Sequence, residues 1–241
     1  ICQRRSARSV NIYVLTLFPQ TIEGFFKESI IKRAISKNIL SLKIINIRDF
    51  ATDAHKSVDD KPYGGGRGMV MKIDVLHRAL LSIKPKPHTI LLSASGHKYN
   101  QKTAMKFSTK KNITIICGHY EGTDARIEQY VDEIISIGDF VLTGGEIAAA
   151  AVIDSVTRLL PGVINSQSTL EESFSKPSSK IHNLSSILEY PQYTRPENYK
   201  GQHVPEILLG GNHQEIENWR KLQSFRRTKQ FRPDLLISKT E

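Results

Sequence analysis

Cysteine is scarce in this chain: two in 241 residues, Cys2 near the start and Cys117 inside the apolar run ITIICG. Two thiols without metal-type spacing exclude a disulfide framework and fit a reducing compartment, so a cytoplasmic location is expected. Cys117 reads as a small core residue rather than a nucleophile. No apolar run approaches the ~20 residues that span a bilayer. The N-terminal ICQRRSARSV lacks the apolar stretch of a signal peptide, and residues 1–9 are expected to form a tail outside the fold. There is no G-x-x-x-x-G-K-[ST], which argues against a P-loop. There is also no G-x-G-x-x-G after the first apolar run, so neither a Rossmann dinucleotide site nor a Rossmann-type methyltransferase is supported. The eight histidines show no metal-ligand spacing, and no metal site is expected. Acids are the minority, 24 against 34 Lys and Arg, giving a net charge of +10. That balance favours a polyanionic partner, with RNA or DNA ahead of an anionic membrane.

What is present has an ordinary globular balance, 39% hydrophobic and 24% charged, with length for one or two domains. Ile12 to Phe18 reads as a first strand. A helix is expected over 21–38, where Phe25, Phe26, Ile30, Ile31, Ala34 and Ile35 fall at helical spacing. Leu42 to Ile47 reads as a strand, and Arg48 to Gly68 as a long polar loop ending in PYGGGRG. Further helices are expected at 73–83 and Gln101 to Ser108, and further strands at His88 to Ser93, Asn112 to Gly118 and Val131 to Ile137. A last helix, Ile147 to Leu160, stops at Pro161-Gly162. Strands alternating with helices imply an α/β fold with a mostly parallel sheet.

In such sheets ligands gather beyond the C-terminal ends of the strands. Three glycine-bearing segments fall there: Ser93 to Gly96, Gly118 to Gly122, and Gly138 to Gly145. The last belongs to SIGDFVLTGG, where Asp139 is the only charge before Glu146. So apolar a loop, punctuated by glycine, fits a pocket whose polar contacts come from the backbone. After residue 164 the composition changes. NSQSTLEESFSKPSSKIHNLSS has the make-up of a linker, expected over 165–187. A Pro- and Tyr-rich stretch and a basic helix follow. WRKLQSFRRTKQFR, residues 219–232, holds six Lys and Arg and no acid. Trp219, Leu222 and Phe225 can form an apolar stripe there while the cations meet phosphate.

Six segments, in order, resemble the bacterial tRNA (guanine-N1)-methyltransferase family, TrmD. They are DKPYGGGRGMVMK, LSASGHKYNQ, CGHYEGTDARI, SIGDFVLTGGEIAAAAVIDSVTRLLPGVI, EYPQYTRP and GNHQEIENWR. The resemblance implies a SPOUT-type sheet with a deep trefoil knot over 10–164, and a small helical, tRNA-binding C-terminal domain over 188–241. It implies S-adenosylmethionine bent into the glycine loops and a homodimer with active sites at the subunit interface, with no membrane. The implied reaction is methylation of N1 of the guanosine at position 37 of tRNA. Mg²⁺ is compatible with this reading, but nothing in the sequence indicates it.

Residue by residue, the resemblance places the cofactor on Leu92, Ser93, Gly96, Gly118, Tyr120, Glu121, Ser136, Ile137, Gly138, Asp139, Phe140, Val141, Leu142, Gly144 and Gly145. It places RNA contacts on Tyr63, His119, Arg220, Arg226 and Arg227. The chemistry agrees with the two residues left. Guanine N1 carries a proton at neutral pH, so a base must remove it while negative charge builds on O6. Arg158 matches the family's catalytic arginine and suits that charge. Glu172, before Ser173-Phe174, stands where the family has an Asp and is the first choice of base, with Glu171 and Glu189 in reserve. His119 stands where the family often has Arg. Two other functions stay open on the sequence: a SPOUT methyltransferase acting on another RNA such as rRNA, and a non-catalytic RNA-binding protein.

Overall fold

The computed structural model describes residues 9–165, 172–174 and 187–236. They fall into two compact units, parted between Ile164 and Asn165.

The N-terminal unit is built on five parallel strands: β1 (Val10–Thr16), β2 (Leu40–Asn46), β5 (His88–Lys98), β6 (Asn112–Cys117) and β7 (Glu133–Ser136). Their order is β2-β1-β6-β5-β7. A short antiparallel pair, β3 (Asp59–Asp60) and β4 (Val70–Met71), lies apart from the sheet. The helices are α1 (Pro19–Glu23), α2 (Ser29–Ser36), α3 (Ile73–Leu81), α4 (Gln101–Ser108) and α5 (Glu146–Thr157). β1 is buried on both faces. Val10, Ile12 and Val14 enter one core with side chains of α1, α2, α4 and α5, while Leu15 enters a second core with α3. Near-continuous apolar runs are what a parallel sheet covered on both sides requires.

Three expectations need correction. The region 21–38 is not one helix: a 3₁₀ turn at Gly24–Phe26 separates α1 from α2, and Ser29 has a φ of 58°. The break buries Phe26 and leaves Phe25 outside. The loop expected over Arg48 to Gly68 contains β3, which pairs with β4 just beyond it. The strand expected to stop at Ser93 continues to Lys98, its pairing with β7 shifting between Leu92 and His97.

The C-terminal unit contains β8 (Asn198–Tyr199), β9 (Gln202–His203) and the long helix α6 (His213–Phe231). The apolar stripe expected on α6 is not what that helix buries. Leu222 and Phe225 are exposed, and Ser224 and Thr228 are buried. Small side chains let residues 187–189 lie close: the Leu188 N–H donates to Thr228 Oγ1 at 2.9 Å, and that hydroxyl donates to the Ser224 carbonyl at 2.7 Å.

Candidate cofactor pocket and nucleic-acid interface

β6 and β7 each end in a glycine loop, and the two loops meet. The Gly145 N–H donates to the Gly118 carbonyl at 2.9 Å, and His119 pairs with Gly144. A third piece comes from β5, where the register shift lifts Ser93 and Ala94 out of the ladder. Together they enclose a cavity of about 230 Å³. Of the expected cofactor residues, Leu92, Ser93, Gly118, Tyr120, Glu121, Ser136, Ile137, Gly138, Phe140, Val141, Leu142, Gly144 and Gly145 line it.

Gly96 and Asp139 do not. A Cβ on Gly96 would lie 2.5 Å from the backbone of Ile134 and Ile135, so that glycine serves the close approach of β5 to β7. Asp139 is exposed and pairs with Lys98 at 2.5 Å. Ala94, Gly122, Thr123, Ile135, Thr143 and Ala148 line the cavity without having been singled out. Each lies within three residues of one that was, so the loops were the signal.

Glycine is required where the walls close. An alanine Cβ at Gly145 would lie 2.7 Å from Cys117 Cα, and one at Gly144 would lie 2.5 Å from His119 Nδ1. At Gly138 it would strike the ring of Phe140. Tyr120 holds a φ of 59°, an unusual conformation for a side chain of its size. The Glu121 N–H donates to the Met69 carbonyl at 3.0 Å, and Gly68, at φ +78°, packs on the Glu121 side chain. The PYGGGRG segment is thus docked beside the pocket. Tyr63 at its tip is fully exposed.

Behind the Gly144-Gly145 wall lies a buried carboxylate that the sequence did not single out as functional. Glu146, the first residue of α5, accepts a hydrogen bond from Thr16 Oγ1 at 2.6 Å. Its other oxygen stands 4.0 Å from His119 Nδ1, a buried nitrogen without a hydrogen-bond partner. Burial, together with the nearby Glu146, pushes the Cys117 thiol well above its ordinary value, so it is no nucleophile. Glu121 is the only Asp, Glu, Lys or Arg among the lining residues. With Glu146 behind the wall, the electrostatics favour a cationic ligand. Bare backbone where a Cβ would collide, polar main-chain groups and an acidic lining fit a small cationic ligand.

The residues expected to carry the reaction sit elsewhere. Arg158 caps the C-terminal end of α5, its N–H bonded to the Asp154 carbonyl at 3.1 Å. α5 has 12 residues, so at ~1.5 Å each Arg158 stands about 18 Å along the helix from Glu146. Glu172 lies in a short turn of the C-terminal unit. There the Phe174 N–H donates to the Ile187 carbonyl at 2.8 Å, and the Glu189 N–H donates to Ser173 Oγ at 3.0 Å. The turn brings Glu172 and the reserve Glu189 into one place, and Glu189 accepts from Gln192 at 2.6 Å. Glu171 lies outside the described residues. On α6, Arg220 stacks over Tyr190 at 4.8 Å, while Arg226 and Arg227 are exposed and form no ion pair among the described residues.

No helix is long and apolar enough to cross a membrane, and no three His, Cys, Asp or Glu cluster as metal ligands, among the described residues. The family described as tRNA (Guanine-1)-methyltransferase TrmD matches residues 10–238. The chain belongs to this family. It is 52% identical to the tRNA (guanine-N(1)-)-methyltransferase of Carboxydothermus hydrogenoformans over 230 residues, covering 94% of this chain and 87% of that protein. The enzyme of the same name from Syntrophomonas wolfei is 49% identical, with 95% and 91% covered. That of Borreliella burgdorferi is 51% identical, with 95% and 93% covered. As a tRNA (guanine-1)-methyltransferase family member, the chain carries its glycine loops and its Arg158 segment inside the matched region.

Proposed function

We propose that this protein methylates N1 of the guanosine at position 37 of tRNA in the cytoplasm, using S-adenosylmethionine held in the glycine-loop pocket. The family membership carries the reaction. The observation that carries the site is the meeting of the two glycine loops around a cavity whose one acidic or basic lining residue is Glu121. S-adenosylmethionine, when bound, supplies a methyl group made electrophilic by its sulfonium. The protein's residues do the rest. Loops 118–122 and 138–145 orient the donor through main-chain groups. Arg158 donates to guanine O6 as negative charge develops there. Glu172 takes the N1 proton. Tyr63 and His119 meet the RNA near the target base, and Arg220, Arg226 and Arg227 hold the tRNA from α6.

Two copies complete the machinery. Arg158 stands about 15 Å along α5 from Ala148, the nearest pocket-lining residue of its own helix, more than its side chain spans. A second copy can present its Arg158 and Glu172 there. α5 supports this reading: its exposed face carries Ile147 and Ala151 beside Asp154.

The test is incubation with methyl-labelled S-adenosylmethionine and unmodified transcripts with and without guanosine 37. Label recovered as N1-methylguanosine from the guanosine-37 transcript alone is the expected result. Label independent of that base would move the substrate to another RNA, and binding of RNA without donor would leave a non-catalytic RNA-binding protein.

A further inference from the structure

The C-terminal unit has a cavity of its own, about 880 Å³, between the segment Tyr190 to Glu197 and the first half of α6. Such a volume is within the range of pockets that take small molecules. Two tyrosines and a tryptophan line it, with Arg195 and Arg220. Tyr193 is half exposed, and its ring centre lies 6.4 Å from that of Trp219 at a tilt of 52°. Arg220 lies over Tyr190, and its Nε is buried without a hydrogen-bond partner. Buried donors in folded proteins are almost always satisfied. Aromatic rings and two guanidinium side chains on one cavity wall call for a flat ligand that carries an acceptor.

We infer that this cavity receives one unpaired nucleobase of the RNA substrate, other than the base that is methylated. Its face stacks on Tyr193 and Trp219, and a ring-nitrogen or carbonyl acceptor at its edge meets Arg220. The inference rests on the proposed tRNA reading and extends it. Aromatic rings stack on any base, and a guanidinium meets the acceptors of a purine edge. Single-stranded loops are where RNA offers such bases. The charge fits as well: Arg226 and Arg227 stand exposed further along α6, where a phosphate backbone attached to the base can run, and Glu197 is the only acid on the cavity wall. A protein segment would need an acidic group and an aromatic ring at the right spacing to match the same wall, whereas every RNA nucleotide carries a flat base and a phosphate.

Trp219 is the only tryptophan of the chain, so the cavity contains its own reporter. The experiment titrates the full-length protein with an unmodified tRNA transcript and follows tryptophan emission. It is repeated with a series of transcripts in which single anticodon-loop residues other than position 37 are abasic. Saturable quenching is expected, lost with one member of the series. That transcript and Tyr193→Ala should each weaken binding roughly 10-fold, as for one stacked base. Their combination should cost no more than either alone, and Tyr193→Phe should restore binding. If the transcript is methylated while emission stays unchanged, the cavity proposal alone falls. It falls too if the losses from Tyr193→Ala and every abasic residue simply multiply, or if emission changes on raising protein concentration without RNA and not on adding RNA, which would make a second copy the occupant. A transcript neither bound nor methylated removes the tRNA reading and this inference with it.

Discussion

Replacing Gly145 with alanine separates packing from backbone strain. Gly145 has φ −79° and ψ −4°, a conformation open to any residue. The cost is therefore steric. The new Cβ would lie 2.7 Å from Cys117 Cα and 3.0 Å from the Gly118 nitrogen. An ordinary contact between carbons is about 3.5–4.0 Å, so the overlap approaches 1 Å. The struck atoms are backbone at the end of β6, which is hydrogen-bonded to β1 on one side and β5 on the other. They cannot retreat, so Gly145 must, and its 2.9 Å hydrogen bond to the Gly118 carbonyl lengthens or breaks. Overpacking costs about 1–3 kcal/mol and the weakened bond about 1 kcal/mol more. In a unit of this size that lowers the melting temperature by roughly 5–10 °C. The same movement displaces the pocket wall, and affinity for S-adenosylmethionine is expected to fall ~10-fold or more, the effect of a misplaced binding surface. Calorimetry and equilibrium dialysis measure the two effects separately. Gly24→Ala is the control: its φ is −56° and nothing lies within 4 Å of the added atom, so stability should hold or rise slightly. A Gly145→Ala protein that melts with the parent refutes the packing argument. One that melts lower but binds the donor at full strength refutes the pocket.

Arg158→Ala should retain donor binding and lower turnover by ~100-fold or more, read in single-turnover assays. Mixed one to one with Gly145→Ala subunits at donor levels that leave the weakened pocket mostly empty, it should recover roughly a quarter of parental activity if sites form between copies, and no more than the average of the two variants measured alone if each chain is complete. Glu172→Gln should be as damaging as Arg158→Ala, and an inert Glu189→Gln beside an active Glu172→Gln would transfer the base to Glu189. Neutralising Arg226 and Arg227 should weaken tRNA binding and flatten its salt dependence by about two phosphate contacts; an unchanged slope removes them from the interface. Burial alone would raise the Glu133 carboxyl, but hydrogen bonds from Lys106 and His88 outweigh it and hold the carboxyl below its usual 4.5. A depressed carboxyl stabilises the fold above that value and loses its contribution as pH falls through the folded pKa. The thermal deficit of Glu133→Gln at pH 7 should therefore shrink as pH drops below about 4.5, and a constant deficit would show that charge is not what Glu133 contributes.

The sheet and the pocket were legible for the same reason: both are written in short stretches of chain. Continuous apolar runs such as ITIIC mark strands buried on two faces, and glycines after β6 and β7 mark where backbone must approach backbone. What stayed hidden depends on contacts across the fold. No local pattern says that Glu146 accepts from Thr16, since 130 residues part them. Periodicity over 21–38 could not reveal the break at Gly24, because Phe25 and Phe26 both keep helical spacing while only one finds the core. On α6 the rule that apolar side chains face inward failed: Thr228 is buried to hold the Leu188 backbone, and Leu222 is left outside. Gly96 looked like part of the pocket because a glycine in a loop and a glycine between two strands read alike.

The sheet also sets a timetable for making the protein. β1 emerges from the ribosome just ahead of β2, its first neighbour, but its other edge pairs with β6; the Asn11 and Asn112 side chains that lock that pairing at 2.7 Å are 101 residues apart. At typical elongation rates this edge waits about 5–20 s for its partner. Through that interval β1 and β2 present an apolar ribbon with one unpaired flank, the kind of surface that aggregates or engages chaperones. Folding yield should thus depend on how quickly the stretch up to Cys117 is translated.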